Sequence, residues 1–326
     1  MSVKANVLKK LEENRGSYFS GEELAATLSV SRAAVWKSIR QLESEGYQIM
    51  ASPNKGYCLA SNNDMISVEG IRASLGEDYD SLDIHVDKVT ESTNKNAKLY
   101  AIHGGNHGSV FIAEEQTAGR GRRGRSFISM KGYGIYMSLI LKPNVNSSNV
   151  VLITTAASVA VHRAILKVTH KSTKIKWVND LYYDNKKICG ILTEAVTDCE
   201  SGMIDSIILG IGINFNMKEE DIPEDLKGIV GALYQGDSGN ITRNELIAEV
   251  INQVLNLSEN LEDISFLDDY RKNSMVIGKK IMVIGDVQSQ KAKALGVHDN
   301  GGLIVAYEDG RREVLCTGEV SIREVK

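Results

Sequence analysis

Cysteine is scarce and scattered in this chain: Cys58, Cys189, Cys199 and Cys316 are the only four, and no two form a C-x-x-C pair. That argues against a disulfide frame or a zinc knuckle and fits free thiols in a reducing cytoplasm. No apolar run approaches the roughly 18 residues that would span a bilayer. The opening stretch, MSVKANVLKKLEENRG, has no apolar h-region, so a secretory leader is not expected. Metal ligands are thin as well. The only close histidine pair, His103 and His107, sits in the turn-like HGGNHG without the further ligands a closed site needs, so no metal site is expected there. What is present is ordinary for a soluble globular protein, 42% hydrophobic and 25% charged residues. A length of 326 residues predicts two or three domains.

Charge is unevenly spread. Residues 1–60 hold 8 Lys/Arg against 6 Asp/Glu, while the remainder holds 30 against 36, for a formal net charge of −4. A small basic head precedes an acidic body. In the head, Val3, Val7, Leu8 and Leu11 recur at helical spacing, with Gly16 as the expected stop. A second helix follows, capped by Ser20 with acids in its first turn and Leu24 and Leu28 on one face. A third is capped by Ser31, buries Val35, Ile39 and Leu42, and stops at Gly46. Two β-favouring runs then flank Pro53-Asn54-Lys55-Gly56, a hairpin signal. Three helices and a hairpin resemble a winged helix-turn-helix, whose third helix enters a major groove. Ser31, Arg32, Lys37 and Arg40, with Lys55 in the hairpin turn, are the candidate DNA contacts, and Trp36 could pack or touch DNA. A surplus of two positive charges is weak for DNA, so tight operator binding is expected to need a dimer.

The stretch QTAGRGRRGRSF (116–127) carries four arginines and three glycines. Gly119, Gly121 and Gly124 also spell G-x-G-x-x-G, but a dinucleotide fold needs a helix opening directly from the glycines. Strand-like runs lie on both sides instead, at 108–116 and 133–141. A single-strand nucleic-acid channel would want interleaved aromatics, and only Phe127 is close. What remains is a loop between two strands, free in backbone angle and rich in guanidinium, able to fold over a small anion. A merely solvated flexible loop is the bland alternative. Further strands are expected in 174–196 and 206–216, a core helix in 149–166, and alternating strands with glycine turns in 277–326.

Several motifs occur together in one order: ESTN (91–94), AEEQTAGRGRRGR (113–125), KWVNDLYYDNKKICGILTE (176–194), GIGIN (210–214) and GEVSIR (318–323). They resemble biotin–protein ligases. With the winged helix in front, nearly the whole chain is similar to the bifunctional bacterial form, ligase and biotin operon repressor in one. The resemblance implies an α+β chain in three parts: a winged helix-turn-helix DNA-binding domain over 1–62, a central mixed-sheet biotin/lipoate ligase-like domain over 63–274, and a small SH3-like β-barrel over 275–326. It implies ATP with Mg2+, biotin as substrate, biotinoyl-AMP as intermediate, a lysine of a biotin carboxyl carrier protein as acceptor, and a homodimer on operator DNA when biotinoyl-AMP is bound. Lipoate ligases share the fold but are not expected to carry the glycine–arginine string.

By the same resemblance Ser92, Thr93, Asn94, Gln116, Arg120, Gly121, Arg122, Lys187 and Gly190 hold biotin. Arg120, Arg122, Lys187, Asn214 and Arg323 lie on the nucleotide side. Lys187, Arg122 and Asp180 are the catalytic candidates. Joining one anion to another needs fixed cations and backbone N–H groups more than a nucleophile, and the loop with Lys187 fits that need. Taken alone, Ser92 and Thr93 read as helix-capping residues and Lys186 as a solvated turn lysine. Two departures stand out: Phe127 where the family usually has tryptophan, and Val178 where it usually has proline, which predicts a looser turn at Asn179–Asp180. The segment 219–236, expected to close on adenine, has no tryptophan, so Val230 and Leu233 are expected to supply its apolar face. An alternative function is a biotin-sensing repressor whose ligase step is impaired or absent.

Overall fold

A computed structural model describes residues 2–79, 81–142, 150–197, 202–285 and 288–322. The chain forms two compact units, 1–81 with 238–251 and 82–237 with 252–326. In the first, helices α1 (Val3–Glu12), α2 (Gly21–Thr27) and α3 (Arg32–Glu45) precede the hairpin β1 (Ile49–Ser52) and β2 (Gly56–Leu59). The helical periodicity becomes a core: Val7, Leu8, Leu11, Leu24, Val35, Ile39 and Leu42 pack together. The Ser20 and Ser31 hydroxyls accept from the amides of Glu23 and Ala34, as capping predicts. Gly46 ends α3 at φ 108°, a left-handed angle that a side chain would oppose. Gly16 does not end α1, which stops at Glu12 because the apolar stripe is exhausted at Leu11. In the same unit a short helix, α4 (Val68–Arg72), follows the wing, and Arg243 donates to Asp64 through its side chain at 2.8 Å and its backbone at 2.7 Å.

The second unit is built on a seven-stranded sheet, ordered β3-β4-β5-β9-β8-β7-β6. Its strands are β3 (Ile84–Asp87), β4 (Val110–Ala113), β5 (Gly134–Leu141), β6 (Lys174–Lys176), β7 (Asp180–Tyr183), β8 (Lys186–Thr197) and β9 (Ile204–Asn214). Only β3 and β4 pair in parallel, so the sheet is mixed. All eight residues of β5 are buried, because both faces of the central strands are covered. On one face α5 (Thr93–Ile102) lays Ala97 and Ala101 against Phe111, Ile140 and Ile208. A twenty-residue helix, α6 (Val150–Thr169), is long and apolar enough to cross a membrane by length and composition, yet it is mostly buried inside the fold. Its interior hydroxyls bond its own turns, as from Thr154 to the Val150 carbonyl at 2.9 Å, which marks a core helix. Helix α7 (Arg243–Glu259) runs through the division between residues 251 and 252, and α8 (Phe266–Asn273) leads into a five-stranded antiparallel sheet ordered β13-β12-β11-β10-β14. Its members are β10 (Lys280–Ile284), β11 (Ser289–Val297), β12 (Leu303–Tyr307), β13 (Arg312–Leu315) and β14 (Glu319–Ser321).

The turn expected to loosen for want of proline is held from two sides. The Val178 carbonyl accepts from the Tyr270 hydroxyl of α8 at 3.1 Å and lies 3.1 Å from the Ser158 hydroxyl of α6. Asn179 donates to the Ile191 carbonyl at 2.7 Å and accepts the Ile191 amide in return at 3.0 Å. Tertiary hydrogen bonds do here what a fixed φ would have done.

On α6 the buried His162 imidazole shares a 2.8 Å hydrogen bond with Thr173, and burial holds its pKa below the ordinary 6.5 against the opposing pull of Asp269. The folded protein therefore binds this proton less readily than the unfolded chain. The neutral ring's contribution to stability is complete above about pH 6.5 and is lost as pH falls from there through the lower folded value. Urea midpoints between pH 5 and 8 should fall on the acid side. His162→Gln should flatten part of that slope, leaving the share of His107, which burial also lowers.

Candidate functional site

Two neighbouring cavities in the second unit share a wall made by Lys187, Asp180, Phe127 and Lys176. The first, about 130 Å³, brings Ser92, Thr93, Asn94, Gln116, Arg120, Gly121, Arg122, Lys187 and Gly190 together, every residue expected on the biotin side. Its polar floor stands at the N-terminus of α5. Ser92 occupies the N-cap position, but its hydroxyl makes no capping bond, and it is 2% exposed, so the plain capping reading fails. The Thr93 amide donates to Gln116 Oε1 at 2.8 Å, and Gln116 Nε2 donates to the Ser129 hydroxyl at 2.8 Å. Ser138 Oγ lies 2.7 Å from Thr93 Oγ1 and 2.6 Å from Asn94 Oδ1, while Asn94 Nδ2 donates to Glu194 at 2.7 Å.

Two glycines of β9 make room for this floor. A Cβ on Gly210 would sit 2.2 Å from Asn94 Oδ1, and one on Gly212 would sit 2.6 Å from the Phe127 ring. The far end of the Phe127 ring thus fills the space over Gly212, and the ring meets Tyr136 edge-on at 6.3 Å and contributes to both cavities.

The four loop arginines divide by role. The loop returns on itself, with Arg120 bridging to Ser126, a short 3-10 turn at Arg122–Gly124 and Arg123 at φ 56°. No helix opens from the glycines, in agreement with the rejected dinucleotide reading. Arg122 donates to Asn179 Oδ1 at 3.0 Å and to the Gly318 carbonyl at 2.9 Å. Burial lowers its pKa, and the nearby Asp180 and Glu319 pull the other way, so a fixed cation sits in a partly desolvated place. Arg125 forms a two-pronged pair with Glu319 at 3.0 and 2.9 Å and ties the loop to β14. Arg120 and Arg123 are exposed.

Lys187 and Asp180 face each other across the β7–β8 hairpin, Nζ to Oδ1 at 2.7 Å. Lys176, opposite Asp180 in the β6–β7 register, is a third cation, with its pKa lowered by burial and pulled up by Asp180 and Glu319. The second cavity, about 310 Å³, is roofed by Ile222, Pro223, Leu226, Ile229 and Val230. The segment 229–233 is stitched down by backbone bonds, Lys187 N to Ile229 O at 2.8 Å and Gly231 N to Lys187 O at 2.9 Å. Asn214 enters the same wall by donating to the Gly231 carbonyl at 2.9 Å. Val230 supplies apolar lining as expected. Leu233 does not, since it is buried to 3% with its amide bonded to the Asn214 carbonyl, and Ile222, Leu226 and Ile229 take its place. Arg323 lies outside the described residues.

Lys176, Ser138, Ser129, Glu194, Glu319 and the β9 glycines were missed as individual site residues. A lone serine inside the apolar run of β5 and an Asp–Lys pair across a short hairpin were signals available for two of them. In the first unit α3 presents Arg32, Trp36, Lys37 and Arg40 to solvent, with Trp36 55% exposed, which settles its role against packing. Arg40 lies over the Trp36 ring at 5.7 Å and pairs with Glu43 at 3.0 Å, and Lys55 stands over Tyr18 at 5.8 Å in the hairpin turn. Ser31 caps the helix with its hydroxyl oxygen and stays exposed beside them. Among the described residues no cluster of His, Cys, Asp and Glu is arranged to hold a metal ion.

Residues 86–214 match the biotin/lipoate A/B protein ligase family, and residues 4–58 match a helix-turn-helix domain. The chain is 32% identical over 320 residues to the bifunctional ligase/repressor BirA of Bacillus spizizenii, across 96% of this chain and 97% of that protein. It is 29% identical over 318 residues to BirA of Escherichia coli, across 95% of each. The solved biotin protein ligase of Aquifex aeolicus in complex with biotin and ATP is similar at 27% identity and a TM-score of 0.62, covering 74% of this chain and 99% of that one.

Gly210→Ala should destabilise the fold by about 1–3 kcal/mol, since Asn94 is pinned from two sides and cannot yield cheaply. At Gly190 a Cβ would meet its neighbours at an ordinary 3.5 Å, and Gly190→Ala should cost less than about 1 kcal/mol. Urea denaturation of the two variants makes the comparison.

Proposed function

The chain belongs to the bifunctional ligase/repressor family, and we propose that it activates biotin with ATP, transfers it to a lysine of an acceptor protein, and represses transcription through its winged helix. The observation that carries the catalytic reading is the position of Lys187 in the wall between a polar-floored cavity and an apolar-roofed one. The first suits a small ring bearing amide-like N–H and C=O groups; the second suits a flat base.

A carboxylate is a poor acyl donor. In the first step a biotin carboxylate oxygen attacks the α-phosphorus of ATP, the bond to the bridging oxygen breaks, and pyrophosphate leaves. Two anions must approach each other, so the barrier falls where fixed cations already stand. Lys187, Arg122 and the loop amides meet that need, with Arg120 and Lys176 adding positive potential. Magnesium would arrive with ATP and offset part of the phosphate charge. In the second step the ε-amine of the acceptor lysine attacks the acyl carbon of biotinoyl-AMP, and AMP leaves. In this reading Asp180, which pairs with Lys187, takes the amine's proton. Lys187 paired to Asp180 is also kept from drifting into solvent before substrates bind.

For repression, Arg32, Lys37 and Arg40 on α3 and Lys55 in the wing contact operator DNA, with Trp36 among them. A head so modestly charged binds tightly as a homodimer, formed when biotinoyl-AMP orders the loops over the site. A biotin carboxyl carrier protein, encountered in the cytoplasm, consumes the intermediate and relieves repression.

Purified protein with ATP, magnesium and biotin should release pyrophosphate in a biotin-dependent manner, and Lys187→Ala should lose about a hundredfold or more of that rate. Retained biotin binding without pyrophosphate release by the wild type would leave a biotin-sensing repressor. Operator affinity should fall steeply with salt, and more steeply for the biotinoyl-AMP-bound dimer than for the monomer, as read by titration at two salt concentrations.

A further inference from the structure

The two faces of the five-stranded sheet β13-β12-β11-β10-β14 differ sharply in charge. Along β11 Ala292 and Ala294 are buried while Lys291 and Lys293 are exposed, and along β10 Ile281 is buried while Lys280 is exposed. The register then draws one row across four strands: Lys280 stands opposite Lys293, Lys293 opposite Ala306, and Ala306 opposite Arg312. In the next row Lys291 stands opposite Met282, and Met282 opposite Ser321. Lys280, Lys291, Lys293, Met282, Ala306 and Ser321 line a groove of about 370 Å³, with Glu308 among its walls. Beside it, on the same face, Ile304 stands opposite Val314, which is 38% exposed.

Among the described residues no ion pair or side-chain hydrogen bond holds Lys280, Lys291, Lys293 or Arg312. Arg311, next in the chain, pairs with Asp309 at 3.8 Å and Glu313 at 3.6 Å, so the nearby carboxylates are spent elsewhere. Lysines directly opposite each other on neighbouring strands repel and cost the sheet stability. A chain with 42 acidic residues against 38 basic ones has left this row unneutralised. The spacing says what would neutralise it. Strands lie about 5 Å apart, so Lys280, Lys293 and Arg312 span about 15 Å. Alternate side chains of an extended polypeptide lie about 7 Å apart on one face, and three of them span about 14 Å.

We propose that this face docks a protein partner through an extended acidic segment, laid across the strands with carboxylates at alternate positions against Lys280, Lys293 and Arg312. Lys291 adds a fourth cation beside the row, and Met282, Ile304 and Val314 take the partner's apolar groups. Nucleic acid fits less well. The row offers no aromatic side chain for a base to stack on, Glu308 repels phosphates, and a phosphate backbone has no use for the apolar neighbours. None of the four cations lines either cavity of the candidate active site, so the proposal stands apart from the biotin-activating reading. The occupant would nonetheless lie on the sheet whose strand β14 holds the glycine–arginine loop through Glu319 and Arg125.

The test uses the full chain and labelled peptides of about seven residues, long enough to cross the row. One probe alternates Glu and Thr; a second has the same composition with its glutamates in one block. Anisotropy titration at low salt should show the alternating probe binding about fivefold or more tightly, although undirected attraction would favour the block. Lys293→Glu should weaken the alternating probe about tenfold or more while its urea midpoint equals or exceeds that of wild type, because a repulsive pair becomes an attractive one. The double variant Lys280→Glu with Lys293→Glu should instead prefer a probe that alternates Lys and Thr. Equal binding of the alternating and blocked probes, or unchanged binding in Lys293→Glu, would overturn the proposal. So would a random-sequence DNA duplex whose binding is lost in Lys293→Glu, which would make this a nucleic-acid surface. If Lys293→Glu does not fold, Lys291→Gln decides the matter: a loss of about threefold for the alternating probe supports the groove, and no loss overturns it.

Discussion

Two absent side chains on β9 are the constraint on which the site rests. At Gly210 the space a Cβ would take is filled by the Asn94 amide, and at Gly212 by the Phe127 ring. Strands in the middle of a closely packed sheet offer no such hollows unless the sequence leaves side chains out. Once the hollows exist, the start of α5 can settle onto the sheet from one side and the glycine–arginine loop can fold down beside it. The polar floor, the aromatic lid and the cations are then brought to one place without any of them moving the strands apart.

Electrostatics at this place are arranged by partial burial rather than by sheer number of charges. Arg122 is locked by neutral acceptors and Lys187 by Asp180, while Arg125 is committed to Glu319. Only some of the guanidinium density in the loop is therefore available for substrate. The rest holds the loop to β14, so part of what looks in the sequence like binding chemistry is structural. Lys171 shows the same economy, its ammonium lying 5.0 Å from the Tyr183 ring and 4.9 Å from that of Tyr234.

Valine in place of proline at 178 shows how a local expectation can be overruled. A rigid φ would have shaped the turn from within. Here the Val178 carbonyl is gripped by hydroxyls on α6 and α8, and Asn179 is bonded to β8. Neither helix is near the turn in sequence, so nothing local could have announced the compensation. Leu233 is a similar case: it is apolar and in the right segment, but the backbone pairing of 229–233 turns Val230 to the cavity and Leu233 to the core.

Periodicity and local chemistry, read from the sequence alone, determined the winged helices, their serine caps, the Gly46 stop and the strands around the loop, because each depends on residues within a turn or two of one another. The motif set likewise named Thr93, Asn94, Gln116, Arg122, Asp180 and Lys187, since those side chains carry chemistry that few other arrangements would need. Only the tertiary structure decided which arginine is spent on β14, that Lys176 joins the cations, and that Ser138 and Glu194 stand behind Asn94. Glu194 and Asn94 lie a hundred positions apart. Their contact is a consequence of sheet order and of a missing side chain at 210, and no local pattern records either.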